Sequence, residues 1–328
     1  MPQIIELKNI RKSFSVARRK GGLLQAARSL FRREYDKVRA LDGISFSVAK
    51  GEIAAFIGPN GAGKSTAIKI MGGILVPDSG ECTVMGICPW KERKRYVARI
   101  GVVFGQRSQL WWDVPVQDSL DLLKDIYRVE ERRFRENLEE LSELLELGPL
   151  LRTPLRQLSL GQKMRCEIAA SLLHDPEVLF LDEPTIGLDA VSKLAVRKII
   201  ARLNRERKIT VILSSHDMDD IESLTERALL IGKGKLIYDG PLGKLRERYG
   251  RVKRLEISFE GEADLPGIEG ALIVSQKEGR VIYEVDSGRT GVSRILSLLG
   301  EKLPITDLSV VNPPIEEIIA SVYREGDR

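Results

Sequence analysis

An α/β fold followed by a small α+β domain is predicted by three features of this 328-residue chain. A short apolar run, Ile53–Ile57, passes directly into a glycine-rich loop, and a helical pattern begins at Ser65–Met71. Apolar runs of strand length return at Val178–Leu181, Thr210–Leu213 and Ala228–Ile231, with an amphipathic helical pattern over Ser192–Asn204 between the first two. Beyond Gly250 the texture changes to short alternating strands and two helical patterns, which reads as a separate domain.

Taken in order, Ile4–Ile10 and Ile44–Val48 alternate apolar and polar residues and predict two strands. Between them, residues 15–39 hold eight basic residues against two acidic ones, Glu34 and Asp36. Leu23, Ala27, Leu30 and Phe31 recur there at helical spacing, with Arg28, Arg32 and Arg33 beside them. A basic amphipathic helix suits an anionic membrane surface or an acidic partner; a solvated insertion is the other reading. Lys50-Gly51-Glu52 then turns the chain into Ile53–Ile57, an apolar run suited to a strand covered on both faces. Residues 91–173 are expected to form a helical subdomain. Asp118–Tyr127 carries Leu122, Leu123 and Ile126, and Phe134, Leu138, Leu141, Leu144, Leu145 and Leu147 mark a longer helix that Gly148-Pro149 stops. In the last domain Arg254–Phe259, Ala271–Ser275, Val281–Val285 and Ile305–Val311 predict strands, and Val292–Leu299 a helix. A final helix follows Pro313-Pro314, with Ile315, Ile318, Ile319, Val322 and Tyr323 on one face. The predicted domains are therefore 1–249 and 250–328.

Composition sets the bounds. With 43% apolar and 30% charged residues the chain reads as globular. No window approaches the roughly 20 apolar residues of a spanning helix, and the first residues lack a signal-peptide layout. A cytoplasmic protein is expected, reaching a membrane only through a partner. Cys82, Cys88 and Cys166 sit in unrelated contexts and read as free, buried thiols. The net charge of +5 is concentrated in the 15–39 segment, while the chain from Gly250 onward carries ten basic and fourteen acidic residues. That distribution does not describe a nucleic-acid-binding surface, and no nucleic-acid partner is expected.

The chemistry lies in three motifs. Gly58-Pro59-Asn60-Gly61-Ala62-Gly63-Lys64-Ser65-Thr66 fits the spacing G-x-x-x-x-G-K-[ST]. Glycines are required because side chains would keep the backbone N–H groups from closing round a triphosphate. Lys64 would neutralise the outer phosphates and the Ser65 hydroxyl would ligate Mg²⁺. Alone, this loop predicts only a nucleoside triphosphate. The second motif is the run Val178-Leu179-Phe180-Leu181-Asp182-Glu183, an apolar strand ending in two carboxylates. Asp182 would hold Mg²⁺ through water and Glu183 would polarise an attacking water. The third is Leu158-Ser159-Leu160-Gly161-Gln162.

Loop, Leu-Ser-Leu-Gly-Gln and Asp-Glu, in that order, resemble the ATP-binding subunits of ABC transporters over about residues 3–248. The resemblance implies a P-loop ABC-type nucleotide-binding domain, with a mixed sheet and a helical subdomain, that binds ATP and Mg²⁺. In that family the Leu-Ser-Gly-Gly-Gln signature caps ATP from the opposite subunit. Here Ser159, Gly161 and Gln162 match and Leu160 replaces the first glycine. By the same resemblance Gln106 reaches Mg²⁺ and the water, Asp189 of Gly187-Leu188-Asp189 couples the two sites of a dimer, and His216 contacts the γ-phosphate. Phe14 stands where an aromatic stacks on adenine; packing in the core is the alternative. His174, before Asp175-Pro176, reads as structural. Trp111-Trp112, just after Gln106, reads either as a docking surface for a membrane subunit or as packing within the helical subdomain.

The segment 103–120, the insertion after Phe14 and Met164-Arg165-Cys166 resemble a bacterial drug- and viologen-exporter-like branch. That branch pairs with integral membrane permeases of the ABC-2 type. The expectation is an ATPase working as a dimer, a homodimer by preference, peripheral on the inner face of the cell membrane. An importer ATPase and a soluble ATPase acting on a non-transport partner are the alternatives.

Overall fold

The computed structural model describes residues 2–17, 35–105, 107–249, 252–260, 265, 267–286, 290–311 and 315–326. The chain divides into two compact units, 1–239 and 240–328. In the first, β1 (Gln3–Ala17) and β2 (Tyr35–Ala49) form a long antiparallel pair, and β3 (Ile53–Ile57) leads through the glycine-rich loop into α1 (Lys64–Met71). There follow β4 (Ser79–Val84), α2 (Arg93–Val97), β5 (Ile100–Phe104), α3 (Val116–Tyr127), α4 (Glu131–Leu145) and α5 (Leu160–Leu172). The unit closes with β6 (Val178–Asp182), α6 (Ala190–Arg207), β7 (Thr210–Ser214), α7 (Met218–Leu224), β8 (Arg227–Gly232) and β9 (Lys235–Pro241).

A six-stranded sheet runs in the order β5-β6-β7-β3-β8-β9, and a three-stranded antiparallel sheet in the order β2-β1-β4. Pairs β5–β6, β6–β7, β7–β3 and β3–β8 are parallel, so their carboxyl ends open on one edge. In α/β sheets ligands bind outside that edge. The inner strands β6 and β7 are buried throughout, which is why their sequences are unbroken apolar runs rather than alternations. Between the two sheets lies a core in which Ile5, Leu7, Ile44 and Phe46 meet Phe56, Ile68 and Met71. Phe46 and Phe56 pack edge to face at 5.3 Å. Each fully buried side chain of this size contributes about 1.5–3 kcal/mol.

The second unit contains α8 (Leu242–Tyr249), β10 (Val252–Phe259), β11 (Ala271–Lys277), β12 (Arg280–Asp286), α9 (Val292–Gly300), β13 (Ile305–Val311) and α10 (Ile315–Gly326). Its antiparallel sheet runs β11-β12-β10-β13 and buries Leu255, Ile257, Tyr283 and Val285 against Ile295 and Leu299 of α9.

Three expectations are corrected. Residues 91–173, expected as a helical subdomain, also contain β5, an edge strand of the large sheet. Its residue Gly101 has no room for a side chain: a Cβ there would lie 2.4 Å from the Ser171 carbonyl. Strands β1 and β2 run to Ala17 and from Tyr35, so both ends of the 15–39 segment are ladder rather than insertion. The helix expected over Leu23–Arg33 lies outside the described residues. Helix α8 belongs to the second unit, where it packs against α10, so the boundary falls before Gly250. That contact joins residues far apart in sequence, which a change of local texture cannot register.

Candidate active site

At the carboxyl edge of the parallel strands lies a cleft of about 940 Å³. It is lined by Phe14, Ala40, Gly58, Pro59, Asn60, Gly61, Ala62, Gly63, Lys64, Ser65, Thr66, Lys69, Ile74, Phe104, Gly105, Arg107, Asp182, Glu183, Ile186 and His216. Each of the four strands β3, β5, β6 and β7 delivers a loop to it. Gln106 lies outside the described residues.

The glycine-rich loop ends in Gly63, at φ 115°, where a Cβ would lie 2.5 Å from the Ala40 carbonyl and 2.8 Å from Leu41. Only glycine fits, and it starts α1, whose first turn therefore presents its amides to the cleft. Lys64 is buried and its ammonium donates to the Gly58 carbonyl (2.5 Å) and the Pro59 carbonyl (3.2 Å). Burial pulls its pKa below the ordinary lysine range, while the charges of Glu183 and Asp182 work against that pull. An arriving phosphate would supply the counter-charge that the carbonyl oxygens supply only in part.

Asp182, at the end of β6, accepts at Oδ1 from the Ser65 hydroxyl (3.0 Å) and the Ser214 hydroxyl (2.7 Å). Glu183 follows with φ 56°, and its amide donates to both the carbonyl and the hydroxyl of Ser214 (3.1 Å each). The turn aims its carboxylate at His216, whose Nδ1 stands 2.5 Å from Glu183 Oε2 and donates to it. The oxygens of Ser65 and Asp182 form a hard donor set within one hydrogen bond of each other, which fits a small hydrated cation such as Mg²⁺.

Beneath this pair lies a network for which the sequence offered no motif. Buried Asp220 of α7 accepts from the Thr185 hydroxyl, the Ser215 hydroxyl (2.9 Å) and Arg197 Nε of α6 (2.5 Å). It thereby ties the loop after Glu183 to the residue before His216. The only signal available was that Ser214-Ser215 and Asp219-Asp220 flank His216 in the chain.

Phe14 is 38% exposed and lines the cleft, which places it outside the core. His174 bonds through Nε2 to the Ile100 carbonyl (2.8 Å) and stacks on Tyr127, a structural arrangement. Trp111 and Trp112 are 41% and 56% exposed, so the interior-packing reading does not describe them. The thiols of Cys82 and Cys166 are buried, and burial pushes both up to about 12.

Ser159, Gly161, Gln162 and Asp189 stand apart from the cleft lining. Ser159 caps α5 in a reciprocal box: its hydroxyl accepts from the Gln162 amide (3.2 Å) and Gln162 Oε1 accepts from the Ser159 amide (2.8 Å). Asp189 caps α6, accepting from the Ser192 amide (2.9 Å) and hydroxyl (2.8 Å), which hold its carboxyl below the usual range. The two caps abut, since a Cβ on Gly161 would lie 2.4 Å from the Ser192 hydroxyl. Leu160 rests 3.1 Å from the Cβ position of Gly187 and remains 44% exposed. The signature and the Gly187–Asp189 loop thus form a second, continuous patch.

The ABC transporter family pattern matches residues 41–186. Bacitracin transport ATP-binding protein BcrA of Bacillus licheniformis is 30% identical over 85% of this chain and 87% of its own length. Linearmycin resistance ATP-binding protein LnrL of Bacillus subtilis (strain 168) is 34% identical over 89% of this chain and 96% of its own. The chain belongs to the ABC transporter family. Among solved structures, this ABC protein resembles the ATP-binding cassette MJ0796, described as dimeric, in a post-hydrolysis state and bound to ADP and Pi. The TM-score is 0.59 and the identity 26%, covering 73% of this chain and 98% of that one. The first unit is thus an ATP-binding, ATP-hydrolysing cassette, and its relatives are ATP-binding proteins of drug and antibiotic transport and resistance.

Proposed function

We propose that this cassette powers an ABC-2 type exporter, with two copies burying ATP between them. One observation carries the dimer: the cleft holds Lys64, Asp182, Glu183 and His216, while the signature residues Ser159, Gly161 and Gln162 and the Asp189 loop form a separate patch of the same unit. A site that needs both is completed by a facing subunit.

In this reading Phe14 offers a ring face to the adenine, and the loop Gly58–Thr66 wraps the phosphates with its amides. Lys64 exchanges its carbonyl partners for phosphate oxygens. Ser65, Asp182 and, by resemblance, Gln106 hold Mg²⁺, which when bound neutralises phosphate charge. Phosphoryl transfer to water asks chiefly for charge neutralisation and placement. Glu183 accepts a hydrogen bond from the attacking water, and His216 keeps the carboxylate aimed. Ser159 and the first amides of α5 close over the γ-phosphate of the facing subunit. Asp189 couples the two caps.

Export rather than import is supported by the relatives named for bacitracin transport and linearmycin resistance, which point to drug-like cargo. Among the described residues no helix is long and apolar enough to cross a membrane. In this reading the permease is an integral membrane partner, with the ATPase on its cytoplasmic side. The dimer is tested by measuring ATPase rate against protein concentration. A specific activity that rises and then saturates is expected; a constant value at every dilution would remove the shared site. Reconstitution with the permease in vesicles, followed by ATP-driven drug efflux, tests the direction.

A further inference from the structure

The signature helix α5 is fastened along one side to the loop that carries the tryptophan pair. Lys163, in its first turn, places Nζ 4.4 Å from the centroid of the Trp112 ring. One turn on, Glu167 is buried and accepts from the Ser108 hydroxyl and from the Gln109 amide (3.2 Å). Gln109 Nε2 also donates, to the Glu167 backbone carbonyl (3.1 Å). Burial pushes the Glu167 carboxyl up from its ordinary range, and the donors from Ser108 and Gln109 hold it down. The backbone of the same loop is bonded on the other side of the signature. The Arg156 amide donates to the Trp112 carbonyl (3.0 Å) and the Leu155 amide to the Val114 carbonyl (3.3 Å). Trp112 therefore touches the chain at 156 and at 163, bracketing Ser159–Gln162 from before and after.

We propose that Trp112, Lys163 and Glu167 are positioning residues that set the pose of the signature turn, and so of the cap it places on the facing subunit's ATP. This rests on the shared-site reading. None of the three lines the nucleotide cleft of its own chain. Removing the bracket should leave ATP binding at that cleft intact while weakening closure between two copies. Lys163 and Glu167 lie i, i+4 on one face of α5, so they act on the same rigid helix. The Trp112 ring meets α5 through Lys163, while its backbone carbonyl holds the chain at Arg156 before the signature.

The test uses the full chain carrying Glu183→Gln, with ATP and Mg²⁺, read by sedimentation for dimer and by nucleotide binding at high dilution. Lys163→Ala and Trp112→Ala each change a contact outside the core and are the primary variants. The protein concentration for half-dimerisation should rise about tenfold in each, within the coupling range of contacting residues, with ATP binding by the dilute protein unchanged. The double variant should be no worse than either single change. Glu167→Ala should weaken the dimer similarly, and Glu167→Gln should restore it in large part. If the Glu183→Gln parent fails to dimerise with ATP, the shared-site reading falls and this inference with it. If the parent dimerises and both primary variants do so at the same concentrations, only the inference falls.

Discussion

Glu183 occupies the left-handed region at φ 56°, a conformation that costs a residue with a side chain of order 1–3 kcal/mol. The bonds from its amide to Ser214 hold the turn, and the turn aims the carboxylate at His216. Replacing Glu183 by Gln keeps the shape and removes the proposed base. Turnover should fall by about 10²–10⁴-fold with ATP affinity retained, read by single-turnover hydrolysis and nucleotide binding. An undiminished rate would take Glu183 out of the chemistry. Lys64 gives a second expectation. Burial lowers its pKa in the free protein, and phosphates beside it raise that pKa again. Binding of ATP at alkaline pH should therefore take up a proton. Affinity should be flat below the depressed pKa and decline as pH rises through it towards the ordinary lysine range. Calorimetry in two buffers of different ionisation enthalpy counts the proton directly; Lys64→Met should abolish the uptake.

The loops that end the parallel strands are packed against each other with no slack. A Cβ on Gly105, after β5, would lie 2.2 Å from the Glu183 carbonyl and 2.9 Å from Ile186. Gly105→Ala must move the backbone of the Glu183 turn. It should cost about 1–3 kcal/mol of stability, as overpacking does, and lower turnover more than ATP affinity. Denaturant unfolding and steady-state kinetics read the two effects, and a fully active, fully stable variant would show that the turns are not so tightly seated. Periodicity made α3, α4, α6, α9 and α10 legible in advance, because each carries apolar residues along one face; α1 was legible from its place after the glycine-rich loop. Periodicity missed β5, where Gly101 interrupts a short apolar run that is unbroken in β6, a strand of the same length. It also could not set the length of β1 and β2, since cross-strand pairing rather than local pattern carries the ladder out to Ala17 and Tyr35.

Two compact units with separate cores predict two unfolding transitions by calorimetry. A ligand bound only by the folded state adds RT ln(1 + [L]/Kd), about 2.7 kcal/mol at a hundredfold excess over Kd. With Glu183→Gln preventing turnover, ATP should raise the transition of the unit containing the cleft and leave the other in place. Equal shifts of both would mean that the units unfold as one.

Residues contiguous in the chain were enough to read the phosphate loop; the Asp182-Glu183 strand end gained meaning beside it, and a family resemblance supplied the signature at Ser159–Gln162. Each depends on backbone conformation and side-chain type within a few neighbouring positions, and local sequence specifies both. The partners that make those groups work come from elsewhere in the chain. Ser214 on Asp182, Asp220 beneath Thr185 and Ser215, and Trp112 bracketing the signature meet only because parallel strands bring their loops to one edge and α5 packs beside the tryptophan loop. Such contacts have no spacing to recognise, because packing of the whole sheet and its helices decides which distant residues become neighbours.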